Sequence, residues 1–251
     1  MVARVTLSRP DVRNALSAEL IAELRGIFDD LDRQSTLRAV VLDGEGKVFS
    51  GGADIAWMRA SLDLSETENR RDAEALSDMY RAIDQCSKPV IARVHGAAIA
   101  GAAGLCAVCD IVISAADAIF GFTETKLGII PAVISPFVLA KIGVSHARAL
   151  FLTGERFGAE RAQAIGLVHV VVSEAELDTA VARALDELCS ASPTAVAAAK
   201  RTLRAVRAAT YEDSRDITAR AIAAQRVSTE GQEGLKAFLE RRKPSWIPDA
   251  E

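Results

Sequence analysis

The stretch GAAIAGAAGL, residues 96–105, has almost no side chain larger than a methyl group. It lies between two apolar runs, PVIARVH before it and CAVCDIVIS after it. Glycine adopts a positive φ readily and lets another group approach the backbone. Where a strand passes into a helix, the first amide N–H groups of the helix are unpaired. The stretch therefore predicts a tight strand-to-helix turn with an accessible backbone.

A second glycine pair, Gly51 and Gly52, precedes the short helix predicted in ADIAWM. Two such turns facing each other would offer a pair of N–H donors to one developing oxyanion. Losing one donor of this kind costs about 2.7–4 kcal/mol of transition-state stabilisation. In the first stretch, Gly96, Gly101 and Gly104 have the spacing G-x4-G-x2-G, which differs from the glycine motifs of dinucleotide folds and P-loops. Close packing of a helix on a strand, with no ligand, is the alternative explanation.

The rest of the chain predicts an α/β architecture with much parallel strand pairing, because predicted strands alternate with helices. The helix after Ser17 has its apolar residues on one face. The predicted strands are residues 3–8, 38–44, 89–95 and 110–114, and a charged segment, 63–78, leads into a helix that runs to Cys86.

From Pro193 onward the pattern changes to three helices in series. Ser192 and Pro193 have the residue types of an N-cap and a first helical position. Thr229 and Gln232 have capping-box spacing at the start of the last helix. We expect residues 1–192 to form the core domain and residues 193–251 a helical region. That region is too thin to hold a core alone, so it must lie on the main domain or on another subunit.

Composition excludes several classes of protein. A net charge of −4 and a pI near 5.6 argue against nucleic-acid binding. No apolar run is long enough for a membrane span, and the start lacks a signal peptide, so we expect a cytoplasmic protein without membrane attachment. Four cysteines without framework spacing fit a reducing compartment. Cys106 and Cys109 are interpreted as buried small residues, since no second pair completes a metal site.

Glu124 is the best candidate for proton transfer. It lies in AIFGFTETKLGIIPA, where a single acid follows an uncharged apolar approach. A carboxyl group in such surroundings has a raised pKa, which suits general acid–base chemistry near neutral pH. A salt bridge with Lys126 is the alternative. The three histidines, His95, His146 and His169, are interpreted as structural.

Six motifs in order resemble the enoyl-CoA hydratase/isomerase (crotonase) family. They are VTLSRPDVRNAL, VFSGGADIAWM, PVIARVHGAAIAGAAGLCAVCDI, FGFTETKLGIIPA, LTGERFGAERAQAIGLV and GLKAFLERRKPSW. The resemblance implies a spiral of β-β-α units whose C-terminal helices pack a homotrimer or a dimer of trimers. It also implies an acyl-CoA substrate and no separate cofactor, because coenzyme A is part of the substrate. Family members usually have one more strand before LSRP, so this strand is lost here or the start is placed late.

The resemblance also assigns site residues. It places the oxyanion hole on the amides of Ala53 and Gly101, and the catalytic acid on Glu124. Phe238 and Arg241 match positions that reach CoA from an adjoining subunit. The remaining CoA contacts fall on Val12, Arg13, Ala15, Ala53, Asp54, Ile55, Ala56 and Gly101.

The catalytic pair departs from the family pattern, because Gly104 stands where hydratases commonly have a first glutamate. This single-glutamate pattern most resembles bacterial 3-methylglutaconyl-CoA hydratases of leucine degradation. The space left at Gly104 is expected to admit a bulkier acyl group or a water. Lys126 or Arg93 is a candidate partner for an acyl carboxylate, with a solvated or structural charge as the alternative for each.

The expected reaction is the addition or removal of water across the 2,3-double bond of an enoyl-CoA, with Glu124 as base and then acid. A 3-methylglutaconyl or similar branched substrate is expected. An enoyl-CoA isomerase that uses one base is the first alternative. A CoA-binding paralogue without catalytic activity is the second.

Overall fold

The main sheet of the molecule contains five parallel strands in the order β1-β2-β3-β5-β8. The structure, a computed structural model, describes residues 1–247. The strands of this sheet are β1 (Val2–Leu7), β2 (Ala39–Gly44), β3 (Val90–Val94), β5 (Ile111–Ala115) and β8 (Val170–Val172). The four strands predicted from the sequence are all present, which confirms the α/β class.

A second sheet is formed by three short strands that alternate along the chain with the later strands of the main sheet. Its strands are β4 (Ala97–Ile99), β6 (Ile119–Gly121) and β7 (Arg156–Gly158). β4 pairs with β6 in parallel, and β6 pairs with β7 in antiparallel orientation. Thus β3 and β4 are consecutive in the chain but belong to different sheets, as are β5 and β6. This arrangement confirms the expected spiral of β-β-α units.

Ten helices accompany the strands within residues 1–247. The first begins after the predicted cap, since the Ser17 hydroxyl accepts from the Leu20 amide. None of these helices combines the length and the apolar composition that crossing a bilayer requires. The helices are α1 (Ala18–Arg33), α2 (Ile55–Ala60), α3 (Glu66–Gln85), α4 (Gly101–Val108), α5 (Ser135–Thr153, interrupted at Gly143), α6 (Ala159–Ala164), α7 (Leu177–Ser190), α8 (Pro193–Ala208), α9 (Tyr211–Val227) and α10 (Thr229–Glu240).

Two sequence-based boundaries were wrong. The charged segment 63–78 does not lead into α3 but forms most of it, because Ser65 and Glu68 make a capping box that starts the helix. The last helix is capped by Ser228, whose side chain accepts from the Gly231 amide. Thr229 is therefore the first helical residue rather than the cap.

Helix α4 is the most buried helix of the fold. All its residues from Ala102 to Val108 are buried, and only small side chains allow that depth. Cys106 and Cys109 are buried free thiols, which confirms their interpretation as small core residues. Burial raises the pKa of Cys109 to about 12, so this sulfur is protonated at neutral pH.

Helix α8 is tied to the core by one nearly buried ion pair. The Lys200 ammonium lies 2.6 Å from the Asp110 carboxylate at the start of β5. The same ammonium donates to the Lys88 carbonyl, at 3.2 Å. Helix α9 has no buried residue and α10 buries only Ala237. The C-terminal helices therefore contact the core chiefly through α8.

Replacing Lys200 with methionine is expected to lower the free energy of unfolding by about 1.5–3 kcal/mol, because Asp110 loses a charged hydrogen-bond partner. Urea denaturation at one fixed protein concentration measures the change. The control is Arg220→Met, which breaks an exposed pair with Asp216 worth about 0.3–0.5 kcal/mol. Equal effects of the two substitutions would contradict the role given to Lys200.

Candidate active site

The two glycine turns lie against each other. The amide of Ser50 donates to the carbonyl of Ala97 at 3.0 Å, and the amide of Ile99 returns to the Ser50 carbonyl at 3.3 Å. Gly52 has φ of +101°, and a Cβ there would come 2.8 Å from the Ile99 carbonyl oxygen. The close approach of the two segments therefore requires glycine at position 52.

The turn before α4 is strained at Ala100. This residue has φ of +51° and ψ of −118°, a conformation that glycine adopts more readily than alanine. Its amide donates to the Gly121 carbonyl at 2.7 Å. Gly101 follows as the first residue of α4. Within residues 1–247, neither the Gly101 N–H nor the Ala53 N–H has a protein acceptor. Two backbone donors are thus available at the turns.

Glu124 begins a short 3₁₀ helix after β6, Glu124–Leu127. Its Oε2 atom is buried and has no hydrogen-bond partner among the described residues. Burial raises the pKa of this carboxyl group above its usual value, as expected from the sequence. The alternative of a salt bridge with Lys126 was wrong, because Lys126 is exposed and no such pair forms within residues 1–247.

A cavity of about 290 Å³ brings Ala53, Gly101 and Glu124 together. We call it the chamber. Its wall is mostly apolar, and its size is at the lower end of the range for small-molecule sites. The other lining residues are Leu16, Trp57, Met58, Ser61, Asn69, Asp72, Ala73, Leu76, Ala100, Ile129, Ile130, Pro131, Ala132, Val133 and Ile134.

One wall of the chamber comes from α3, and sequence reasoning missed it. Asn69, Asp72, Ala73 and Leu76 have the spacing of one helix face. The signal was present in the sequence, but the charged residues between them hid the stripe. The indole N–H of Trp57 donates to the Asp72 carboxylate at 3.1 Å, which joins α2 to this wall.

Gly104 does not leave the space that was expected from the sequence. A Cβ at this position would collide with the Cγ2 atom of Ile134 and lie 3.1 Å from the Tyr80 hydroxyl. Gly104 does not line the chamber. The prediction that Gly104 leaves room for a bulkier acyl group or a water is therefore wrong. The space that a glutamate side chain at position 104 would occupy is filled by the side chain of Ile134.

The two candidate cations for an acyl carboxylate are also outside the chamber. Arg93 forms an ion pair with Asp178 of α7, at 2.8 Å, and so has the structural role given as its alternative. Lys126 packs beside Gly154 with its side chain exposed. No lysine or arginine lines the chamber in the part of the chain that the structure describes.

The predicted CoA residues of the N-terminal part of the chain, between Val12 and Ala56, include both exposed and buried residues. Val12 and Arg13 are exposed, and the Arg13 carbonyl accepts from the Gly51 amide at 2.7 Å. This bond places the loop of Val12 and Arg13 beside the first glycine turn. Ile55 and Ala56, in the first turn of α2, are exposed as well.

Ala15 and Asp54 are buried and are used within the protein. The Ala15 carbonyl accepts from the Arg9 guanidinium at 2.6 Å. The Asp54 carboxylate pairs with Arg9 at 2.9 Å and caps α2 through the Ala56 amide at 2.8 Å. Hydrogen bonds from the Ala56 amide and from the Arg9 guanidinium lower the pKa of that carboxyl group. Neither residue lines the chamber.

Phe238 and Arg241 lie at the end of α10. Phe238 is 81% exposed, and Arg241 has a left-handed backbone that closes the helix. Neither residue lines the chamber of its own protomer. His95 and His169 are structural, as predicted: His95 Nε2 lies 2.9 Å from the Gly46 carbonyl, and His169 Nδ1 accepts from the Val112 amide.

Comparisons with known proteins point in one direction. A family model described as Enoyl-CoA hydratase/isomerase matches residues 1–248. A short-chain-enoyl-CoA hydratase of Clostridium acetobutylicum is 31% identical over 96% of this chain and 92% of its own. A peroxisomal Delta(3,5)-Delta(2,4)-dienoyl-CoA isomerase of Arabidopsis thaliana is 32% identical over 97% and 91%. The crystal structure of an enoyl-CoA hydratase from Shewanella pealeana has a TM-score of 0.93 at 39% identity, covering 98% and 92%.

Gly104→Ala is expected to lower the free energy of unfolding by about 1–3 kcal/mol, because the new methyl group collides with Ile134. Ile134→Ala alone costs about 2–5 kcal/mol through the cavity it leaves. The double variant is expected to lose at least about 0.5 kcal/mol less than the sum, since one change makes room for the other. Chemical denaturation of all four proteins measures this coupling.

Gly26→Ala is the control for these substitutions. Gly26 lies on the exposed side of α1, where an added Cβ has no neighbour within 4 Å. Alanine is expected to stabilise that helix by about 0.5–1 kcal/mol. Additive losses in the Gly104 and Ile134 double variant would show that the two side chains do not share space.

Proposed function

The chain belongs to the enoyl-CoA hydratase/isomerase family, and we propose that it hydrates the 2,3-double bond of an enoyl-CoA thioester. The observation that supports this most directly is the buried Glu124 Oε2 atom. It has no hydrogen-bond partner within residues 1–247, and Glu124 lines a chamber that also contains the unpaired amides of Ala53 and Gly101. A buried acid without a partner is costly for folding, so its presence favours a role in the reaction.

In the proposed reaction, the amides of Ala53 and Gly101 donate to the thioester oxygen. This draws electrons from the double bond and makes the β-carbon electrophilic. Glu124 accepts a proton from a water as the water oxygen bonds to the β-carbon. The enolate forms at the same time, and Glu124 then returns the proton to the α-carbon. One carboxyl group serves as base and then acid, so the absence of an acid at Gly104 is compatible with hydration.

The same residues suit an isomerase as well, since moving a double bond requires one base that shuttles one proton. Relatives of both kinds match this chain over nearly its whole length. Hydration adds the elements of water and removes the absorbance of the conjugated thioester. Isomerisation of a 3-enoyl-CoA creates that absorbance. The two activities are therefore separable with one spectrophotometer.

For the acyl group we propose a branched but uncharged chain. The chamber wall is mostly apolar and includes Trp57, Ile130 and Ile134. Its charged members are Asp72 and Glu124, both acids. A terminal carboxylate, as in the glutaconyl group expected from the sequence, would meet negative charge and, among the residues that the structure describes, no cation. Burying such a charge without a partner is unfavourable.

We also propose a homotrimer, alone or paired, in which α10 completes the CoA site of a neighbour. The end of α10 has apolar side chains that nothing covers within residues 1–247. Phe238 is 81% exposed and Leu239 is 80% exposed. An exposed pair of this size is typical of a surface that another chain covers. Phe238 and Arg241 are the proposed contacts with the neighbour's CoA.

Glu124→Gln is expected to lower kcat for hydration of a neutral 2-enoyl-CoA by about 10²–10⁴-fold, with a small change in KM. In the parent protein, hydration is expected to decline as the pH falls through the pKa of Glu124, which burial raises above 4.5. The base must be ionised, so activity lies on the alkaline side of that pKa. The glutamine variant is expected to lose this acidic decline.

Glu160→Gln is the control, since Glu160 is an exposed acid in the first turn of α6. It is expected to keep the parent kcat and pH profile. Crotonyl-CoA and a 3-enoyl-CoA serve as substrates in the same assay. Formation of a conjugated product without hydration would overturn the hydratase in favour of the isomerase. Undiminished turnover in Glu124→Gln would contradict the role of the acid.

The acyl preference is tested with Asp72→Lys. The parent protein is expected to prefer a neutral 3-methyl-2-enoyl-CoA over 3-methylglutaconyl-CoA. The lysine is expected to raise kcat/KM for the glutaconyl substrate at least about tenfold relative to the neutral one. The control, Glu74→Lys, makes the same charge change on α3 at a residue that pairs with Arg70 in solvent. A parent preference for the glutaconyl substrate would contradict the neutral chain.

A further inference from the structure

Tyr80 is a buried polar residue that the proposed mechanism does not use. It lies on α3 one turn after Leu76, which lines the chamber, and its side chain is fully buried behind that wall. Its hydroxyl donates to the Gly101 carbonyl at 2.7 Å. Its ring packs beside Phe137, with 5.9 Å between the ring centroids. Tyr80 therefore contacts the turn at Ala100 and Gly101 from the protein interior, and it does not line the chamber.

The tyrosine hydroxyl occupies a groove that two glycines create on α4. A Cβ on Gly101 would lie 3.0 Å from the hydroxyl oxygen, and a Cβ on Gly104 would lie 3.1 Å from it. Both distances are shorter than an ordinary van der Waals contact, so the hydroxyl fits only because neither residue has a side chain. Burial and the nearby Glu124 carboxylate raise the pKa of Tyr80, which keeps the hydroxyl protonated as a donor.

The backbone beside this hydrogen bond is under strain. Ala100 has φ of +51°, and residues other than glycine keep such a conformation only where the surrounding structure holds them. The Gly121 carbonyl holds the turn on one side by accepting from the Ala100 amide. Tyr80 holds it on the other side at the Gly101 carbonyl. The peptide between these two bonds carries the Gly101 N–H.

We infer that Tyr80 is a positioning residue for the oxyanion hole: its hydroxyl fixes the Gly101 peptide so that the Gly101 N–H points at the thioester oxygen. The inference rests on the proposed function, because it assigns the Gly101 amide to that oxygen. Displacement of a catalytic group by about 1 Å can cost up to about 10²-fold in rate. A misplaced N–H donor stabilises the transition state less, while binding of the ground state changes little. The effect is therefore expected in kcat rather than in KM.

The test replaces Tyr80 with phenylalanine, which keeps the ring and removes one oxygen. We expect kcat for crotonyl-CoA hydration to fall about tenfold, with KM within about twofold. The second readout is the infrared carbonyl band of bound butyryl-CoA labelled with ¹³C at the thioester carbon. In the parent protein, binding is expected to lower the frequency of this band. In Tyr80→Phe we expect less than half of that shift.

Two controls separate positioning from stability. Tyr211→Phe removes the other tyrosine hydroxyl of the chain, on a side chain that is 89% exposed, and is expected to change neither readout. Phe137→Leu loosens the packing around Tyr80 but keeps its hydroxyl. It is expected to lower the melting temperature and to keep the carbonyl shift. Thermal melts of all variants show whether each protein is folded.

A measurement that requires no substitution at Tyr80 covers the case in which Tyr80→Phe does not fold. In Tyr211→Phe protein labelled with 3-fluorotyrosine, the single ¹⁹F signal reports on Tyr80. We expect it to shift when butyryl-CoA binds, because the Gly101 peptide receives the thioester oxygen. An unchanged ¹⁹F signal on binding would overturn the inference.

The carbonyl band distinguishes the two levels of the proposal. If the parent protein shows no shift with butyryl-CoA, the proposed oxyanion hole is wrong, and the proposed function fails with it. If the parent shows the shift and Tyr80→Phe retains all of it, the function stands and the inference about Tyr80 is overturned. A tenfold fall in kcat with an unchanged carbonyl shift also overturns it.

Discussion

The hydrogen-bonded contact between residues 50–53 and 97–100 is the constraint on which the site depends. It joins Ser50, at the start of the first glycine turn, to β4, and it allows no side chain at Gly52. Each turn alone is an ordinary strand-to-helix connection. Held side by side, they bring the Ala53 and Gly101 amides to one chamber. The main sheet fixes the direction from which each turn arrives, because β2 and β3 are adjacent parallel strands.

A strained turn needs support from the core, and this fold supplies it through small residues. Helix α4 is buried along nearly its whole length, which only glycine, alanine and a few medium-sized side chains permit. The same small residues let the Tyr80 hydroxyl and the Ile134 side chain pack closely beneath the turn. The bare sequence of α4 therefore has two consequences. It exposes backbone donors at the start of the helix, and it admits large neighbours that hold them in place.

The sequence predicted the parts of the fold that depend on local pattern. Ser17 and Ser192 cap the expected helices, and the strands lie where apolar runs lie. The burial of Glu124 followed from its apolar surroundings. What could not be predicted depends on partners distant in the chain. Ile134 fills the space at Gly104 from thirty positions away, and no periodicity connects them.

The charges of the chamber were likewise beyond local pattern. In the sequence Arg93 is a candidate partner for an acyl carboxylate, but in the fold it pairs with Asp178, 85 positions later. Asp72 lies in the charged segment 63–78, and no local pattern separates it from its exposed neighbours Arg71 and Glu74. Only the packing of α3 against the turns shows that this carboxylate faces the chamber. The sequence therefore indicated the backbone N–H donors but not which acyl groups the chamber wall favours.

This division has a physical reason. In the proposed reaction the thioester oxygen is bound by peptide N–H groups, which every residue except proline possesses. Substitutions along the chamber wall can then change which acyl group is bound without removing the N–H donors, provided that the turns keep their geometry. The catalytic carboxyl group must be supplied by a side chain, and of the two positions expected to carry glutamates, 104 and 124, only Glu124 is an acid. Its partner position is filled by Ile134, so restoring a second acid would require two coupled changes, one at Gly104 and one at Ile134. The packing of Ile134 beneath the turn is therefore what opposes a second glutamate at position 104.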